Sequence, residues 1–201
     1  YLFFEESSSQ NQIIFFHATG LNAATYLNLL TKIFEDFDGE RSIYAFDQRG
    51  HGLSAAKADH TKLKSWKQFS KEAISFLNSL DHESVDLMGH SMGGIVASEV
   101  ASQLKLKVQN LIMLEPVLYY APKDVIKLKL KNFLKFDDLS ASNKSSSAKQ
   151  RRNNFASFEE AIEHFTGRAM FASWPQESIM NYLEGRQMKK EGSFFLSCDP
   201  A

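Results

Sequence analysis

The sequence predicts an α/β fold: a mostly parallel sheet with helices on both faces, plus an inserted helical cap. Three observations predict it. Apolar runs of strand length alternate with helix-period segments as far as Pro116, and parallel strands need such crossovers. Gly89-His90-Ser91-Met92-Gly93 falls where one of those runs gives way to a helical pattern, so a serine flanked by small residues sits at a sharp strand-to-helix turn. Beyond Pro116 no convincing buried strand follows, and helical stripes surround a polar stretch.

Leu2 to Glu6 and Gln12 to Phe16 read as strands around the polar turn Ser7 to Asn11, the second nearly continuously apolar as a buried strand should be. From Asn22 a helix places Tyr26, Leu29, Leu30, Ile33 and Phe34 on one face. Ser42 to Phe46 is another buried strand. Trp66, Phe69, Ala73, Phe76, Leu77 and Leu80 trace the clearest amphipathic helix. Val85 to Met88 forms the strand before Ser91, and Ile95, Val96, Val100 and Leu104 recur at helical spacing after it. Asn110 to Leu114 adds one more strand.

Ser140 to Asn154, rich in Ser, Lys, Asn and Arg, is too polar to pack and reads as a mobile loop. Phe155, Phe158, Ile162 and Phe165 form a helical stripe ending at Gly167, and Ile179, Tyr182, Leu183 and Arg186 form another after Pro175. The expected division is a partial core over 1–118, a helical cap over 119–199 and the start of a return to the core at 200–201.

The 201 residues suit one domain with a lid, and a formal net charge of −1 gives no reason to expect nucleic acid or an anionic membrane as partner. The single cysteine, Cys198, forms no internal disulfide and no metal-ligand cluster. No apolar run approaches the ~20 residues of a membrane span, and the first residues lack the marks of a signal peptide, so a cytoplasmic location is expected. The chain opens on Tyr1 directly into a strand-like run, so its N-terminus is expected to be incomplete.

Chemistry concentrates around Ser91. In a nucleophile elbow the serine backbone is strained and neighbouring chain approaches closely, which requires glycine at Gly89 and Gly93. Acyl transfer also needs two backbone N–H groups aimed at the developing oxyanion. Met92, directly after Ser91, supplies one. Thr19, in His17-Ala18-Thr19-Gly20 after the buried run Ile13 to Phe16, is the candidate for the other.

These motifs resemble the α/β-hydrolase superfamily in its cofactor-free, lid-bearing branch. Three marks stand in order: the oxyanion loop His17 to Gly20, with Ala18 where glycine is usual; Asp47-Gln48-Arg49-Gly50-His51-Gly52-Leu53-Ser54; and the elbow at Ser91. The resemblance covers Tyr1 to Pro116. It implies no metal and no organic cofactor, a supporting role for Asp47 and His51 in the floor of the site, His17 as an anchor of its loop, and a His90 side chain directed away from Ser91 Oγ.

A serine nucleophile needs a histidine to take its proton and an acid to orient that histidine, in the chain order Ser, acid, His. Glu115 and His164 satisfy this order literally, but Glu115 also reads as a strand-end carboxylate and His164 as the flank of a cap helix. The resemblance implies that acid and histidine follow two further strands, beyond Ala201, and Asp199 precedes any such strand.

The expected function is a serine hydrolase cleaving a small ester, thioester, lactone or related substrate through an acyl-serine intermediate. The alternative is a ligand-binding protein of the same fold without catalysis. A basic segment from Lys123 to Arg152, interleaved with Ile126, Leu128, Leu130, Phe133, Leu134 and Phe136, reads as a solvated cap rim, with membrane or nucleic-acid binding as the sharper alternative. A sheet ending at Leu111 to Leu114 leaves an apolar edge strand unpaired. The expected outcome for the purified 201-residue chain is negligible hydrolysis of short-chain aryl esters; robust turnover that depends on Ser91 contradicts it.

Overall fold

The computed structural model describes residues 2–4, 11–38, 40–59, 65–80, 84–117, 152–190 and 193–196. The elements of the first half are β1 (Leu2–Phe4), β2 (Asn11–Phe16), a 3-10 turn (Ala23–Tyr26), α1 (Leu27–Asp36), β3 (Ser42–Ala45), α2 (Lys67–Leu77), β4 (Ser84–His90), α3 (Met92–Gln103) and β5 (Lys107–Leu114). They form one sheet of order β1-β3-β2-β4-β5, parallel throughout except for β1 against β3.

Strand alternation in β2 explains how both faces are covered. Ile14 and Phe16 pack with Phe69, Ala73 and Leu77 of α2 and with Val96, Ala97 and Val100 of α3. Ile13 and Phe15 face the other way, against Ala23, Leu30, Ile43 and Ala45. Both faces of β2 are therefore buried, as its near-continuous apolar sequence requires.

Several details differ from the sequence expectations. Asn22 begins a 3-10 turn and not the helix proper: its side chain accepts from Thr25 N–H at 2.9 Å, and α1 starts at Leu27. Leu29 is 42% exposed and leaves the predicted apolar face, because the turn shifts the helical phase by the time α1 begins. The run Val85 to Met88 holds a buried Asp86, tolerated because Arg41 and Asn110 bind its two carboxylate oxygens. β5 starts at Lys107 and stands at a sheet edge among the described residues, with Leu111, Ile112 and Met113 each about 40% exposed.

The region read as a helical cap is mixed. It contains α4 (Phe158–Phe165), a 3-10 turn (Ala169–Phe171) and α5 (Gln176–Glu184), but also β6 (Asn154–Phe155), β7 (Gln187–Lys190) and β8 (Ser193–Leu196) in an antiparallel sheet of order β6-β8-β7. Phe155 therefore belongs to a strand, where it packs near Phe165 and Phe194. Strands of two to four residues give too few alternations to register as a period. The basic segment before Arg152, most of the polar stretch from Ser140, the turn after Glu6, Cys198, Asp199 and the expected return at 200–201 lie outside the described residues.

Removing one partner of a buried ion pair leaves an uncompensated charge, so Arg41→Met is expected to lower unfolding free energy by about 3 kcal/mol. In urea titrations the double variant Arg41→Met, Asp86→Leu is expected to recover much of that loss; a single variant within ~0.5 kcal/mol of the parent contradicts the assignment.

Candidate active site

β4 runs into α3 with no connecting loop, and Ser91 is the residue between them. Its φ of 53° and ψ of −114° lie outside the regions that side-chain-bearing residues ordinarily occupy. Two hydrogen bonds hold it there: Ser91 N–H donates to the Leu114 carbonyl at 2.9 Å, and Gly94 N–H donates to the Ser91 carbonyl at 3.1 Å. The flanking glycines are demanded by space. A Cβ on Gly89 would overlap the Gly93 carbonyl, and one on Gly93 would overlap the Phe16 carbonyl.

Parallel pairing of β2 with β4, with Phe16 opposite Gly89, delivers the loop after β2 to the same end of the sheet. Thr19 lies on that loop, and its hydroxyl donates to Met92 Sδ at 3.1 Å. Met92 is the first residue of α3, so its N–H has no carbonyl a turn earlier to bind. The backbone bonds of the described residues likewise leave the Thr19 N–H unused. The structure thus brings Thr19, Ser91 and Met92 together at one strand end.

The loops behind them are cross-braced. His17 is fully buried: its Nε2 accepts from Gln48 N–H at 2.9 Å, and its Nδ1 meets the Ala18 carbonyl at 2.9 Å. The Gln48 side-chain amide donates back to the His17 carbonyl at 2.9 Å. Burial, with a further contribution from His51, lowers the His17 pKa to about 3, so this ring is neutral. Asp47 accepts from Ala23 N–H and Leu53 N–H, each at 2.8 Å, and Gly52 at φ 52° leaves room for that carboxylate. His51 Nδ1 donates to the Arg49 carbonyl at 3.0 Å, and burial lowers its pKa as well.

His90 is tied to Tyr26, whose Oη lies 2.7 Å from His90 Nδ1 and accepts from Ala18 N–H at 3.2 Å. A single hydroxyl thereby joins the elbow to the loop carrying Thr19. Tyr26 was legible in sequence only as a core aromatic. Beside this pair is a cavity of about 240 Å³, lined by Leu21, Thr25, Tyr26 and His90 and, from the far end of the sequence, by Trp174, Pro175 and Ser178.

The two literal triad partners are placed differently. Glu115 follows Leu114, whose carbonyl holds Ser91 N–H, and with φ 42° it ends β5 beside the elbow. His164 is on α4, its ring 5.3 Å from those of Phe155 and Phe165 and its Nδ1 accepting from Arg168 at 3.3 Å. Among the described residues no hydrogen bond joins Ser91 to either of them. None of the described helices is long and apolar enough to cross a membrane.

A strained serine between a parallel strand and a helix, faced by a braced loop from the neighbouring strand, defines the α/β-hydrolase class. Within it the chain belongs to the family described as serine aminopeptidase, S33, whose model matches residues 7–178. Protein phosphatase methylesterase 1 of Saccharomyces cerevisiae is 29% identical over 119 residues, covering 52% of this chain and 30% of that protein. 1-Acylglycerol-3-phosphate O-acyltransferase ABHD5 of Rattus norvegicus is 28% identical over 116 residues, 57% of this chain and 32% of that one. The matched part thus spans about a third of the length of these relatives. Among solved structures, the thioesterase domain from the curacin biosynthetic pathway superposes with a TM-score of 0.70 at 19% identity, over 98% of this chain and 67% of that domain, which shows the shared fold.

The His17 ring has a pH signature. Its folded pKa is below the ordinary 6.5, so the unfolded chain binds the extra proton as pH falls and stability present above 6.5 is lost toward 3. Urea unfolding is expected to lose ~1.4 kcal/mol per pH unit from this group across that window. His17→Gln should flatten the slope; an unchanged slope contradicts a neutral, buried His17.

Proposed function

We propose that this protein is a serine hydrolase acting on a small ester or thioester, with Ser91 as nucleophile and the amides of Thr19 and Met92 as oxyanion donors. The observation that carries this reading is the Ser91 backbone at φ 53°, a strained conformation retained at the strand end where the side chains of Thr19 and Met92 meet. Ser91 Oγ attacks the acyl carbon and forms a C–O bond. The carbonyl oxygen takes the negative charge and is held by the two N–H groups. Collapse expels the alcohol or thiol, and water then cleaves the acyl-serine to release the acid. The base that takes the serine proton is not assigned to any described histidine.

The names of the two curated relatives support the chemical class, since a methylesterase and an O-acyltransferase both act at acyl–oxygen bonds. The second reading, ligand binding without turnover, is favoured by one observation: no described histidine hydrogen-bonds Ser91.

A fluorophosphonate probe separates the two. In the intact protein, labelling and p-nitrophenyl acetate hydrolysis are expected to fall at least ~10³-fold in Ser91→Ala with the melting temperature little changed. Labelling absent from the parent, or equal in Ser91→Ala, overturns the hydrolase reading.

A further inference from the structure

Arg186, two residues past the end of α5, is only 8% exposed. A guanidinium does not shed its proton, so burying one leaves a charge that needs an anion or a full set of acceptors. Arg186 has neither among the described residues. Its Nη1 donates to the Tyr182 hydroxyl, and its guanidinium carbon lies 5.1 Å from the centre of that ring. Nε is buried without a partner, and none of the described ion pairs includes Arg186. Nε, on the edge that matches the two oxygens of a carboxylate, is thus unused.

The surroundings point to the active site. Gly185, the residue before Arg186, packs so closely on the turn that follows the Thr19 loop that a Cβ there would lie 2.6 Å from the Ala24 Cβ and 2.8 Å from Asn22 Oδ1. Gln48, bonded to His17 through both its amides, also keeps a buried, partnerless Oε1. The third such atom among the described residues belongs to Gln12, on β2. Arg186 and Gln48 thus each keep an orphaned polar atom on the side of the core that carries the Thr19 loop. Packing alone does not explain them, since an apolar side chain would cover Tyr182 without the cost of desolvating a cation.

We propose that Arg186 is an anion-recognition residue, its Nε–Nη2 edge taking a carboxylate carried by the ligand that reaches the Thr19 side of the core. Recognition of the anion stands independently of catalysis. That the ligand is also the substrate, an ester bearing a free carboxylate, rests on the Ser91 reading above.

Calorimetric titration of the intact Ser91→Ala protein, which prevents turnover, tests the proposal with monomethyl succinate and its neutral counterpart dimethyl succinate. The carboxylate-bearing ester is expected to bind about tenfold more tightly than the neutral one. Arg186→Gln is expected to erase that preference, and Arg186→Lys to restore part of it. Arg186→Gln should also melt no lower than the parent, because a buried uncompensated charge has been removed; a purely structural arginine would melt lower and leave the preference intact. Equal binding of the two esters by the parent, or a preference that survives Arg186→Gln, overturns the proposal. Should Arg186→Gln not fold, Arg186→Lys decides: monomethyl succinate weakened with dimethyl succinate unchanged supports it, and no change overturns it. Loss of probe labelling at Ser91 with the anion preference retained removes only the substrate role.

Discussion

The close approach of α3 to the end of β2 governs the rest of the site. With no Cβ at Gly93, the helix starts against the Phe16 carbonyl, and with none at Gly89 the strand turns into the helix within a single residue. That contact fixes three things together: the strain at Ser91, the position of the Met92 amide at the first turn, and the nearness of the loop that follows Phe16. A larger residue at Gly93 displaces the end of β2, and one at Gly89 displaces the first turn of α3.

Around this contact the protein uses hydrogen-bonded side chains as bracing. His17 and Gln48 exchange three hydrogen bonds with each other and with Ala18, while Asp47 spans from the 3-10 turn to the loop at Leu53. A buried imidazole held neutral braces a loop without the desolvation cost of a charge. Arg186 departs from that pattern, and so it reads as a residue kept for binding and not for stability.

The sequence made the core legible because its signals are local. The flanking glycines and the strand-to-helix change at Ser91 lie within a few residues, β2, β3 and β4 stand out as apolar runs, and α2 shows a clear helical period. What escaped depends on distant partners. Asp86 reads as an interruption until Arg41 is seen beside it, and Tyr26 reads as core until His90 and Ala18 meet its hydroxyl. The short strands β6 and β8 were hidden because Phe155, Phe194 and Leu196 are buried in runs too brief to show a period. Arg186 fitted a helical stripe by spacing, yet it lies past the helix end and is buried by the fold and not by the pattern.

The seam between α5 and the first half of the chain is fastened by Asn22, whose side-chain amide donates to the Tyr182 carbonyl across 160 residues, and by Asn181 on Asn28 across 153. Contacts of such sequence separation carry a large loop-closure entropy and form late in folding, whereas the pairing of β2 with β3 and the β4-to-α3 turn draws on nearer chain. During synthesis the elbow therefore has its own strands to assemble on well before Tyr182 emerges. The nucleophile's geometry is set early, and the seam at Asn22 and Tyr182 closes later.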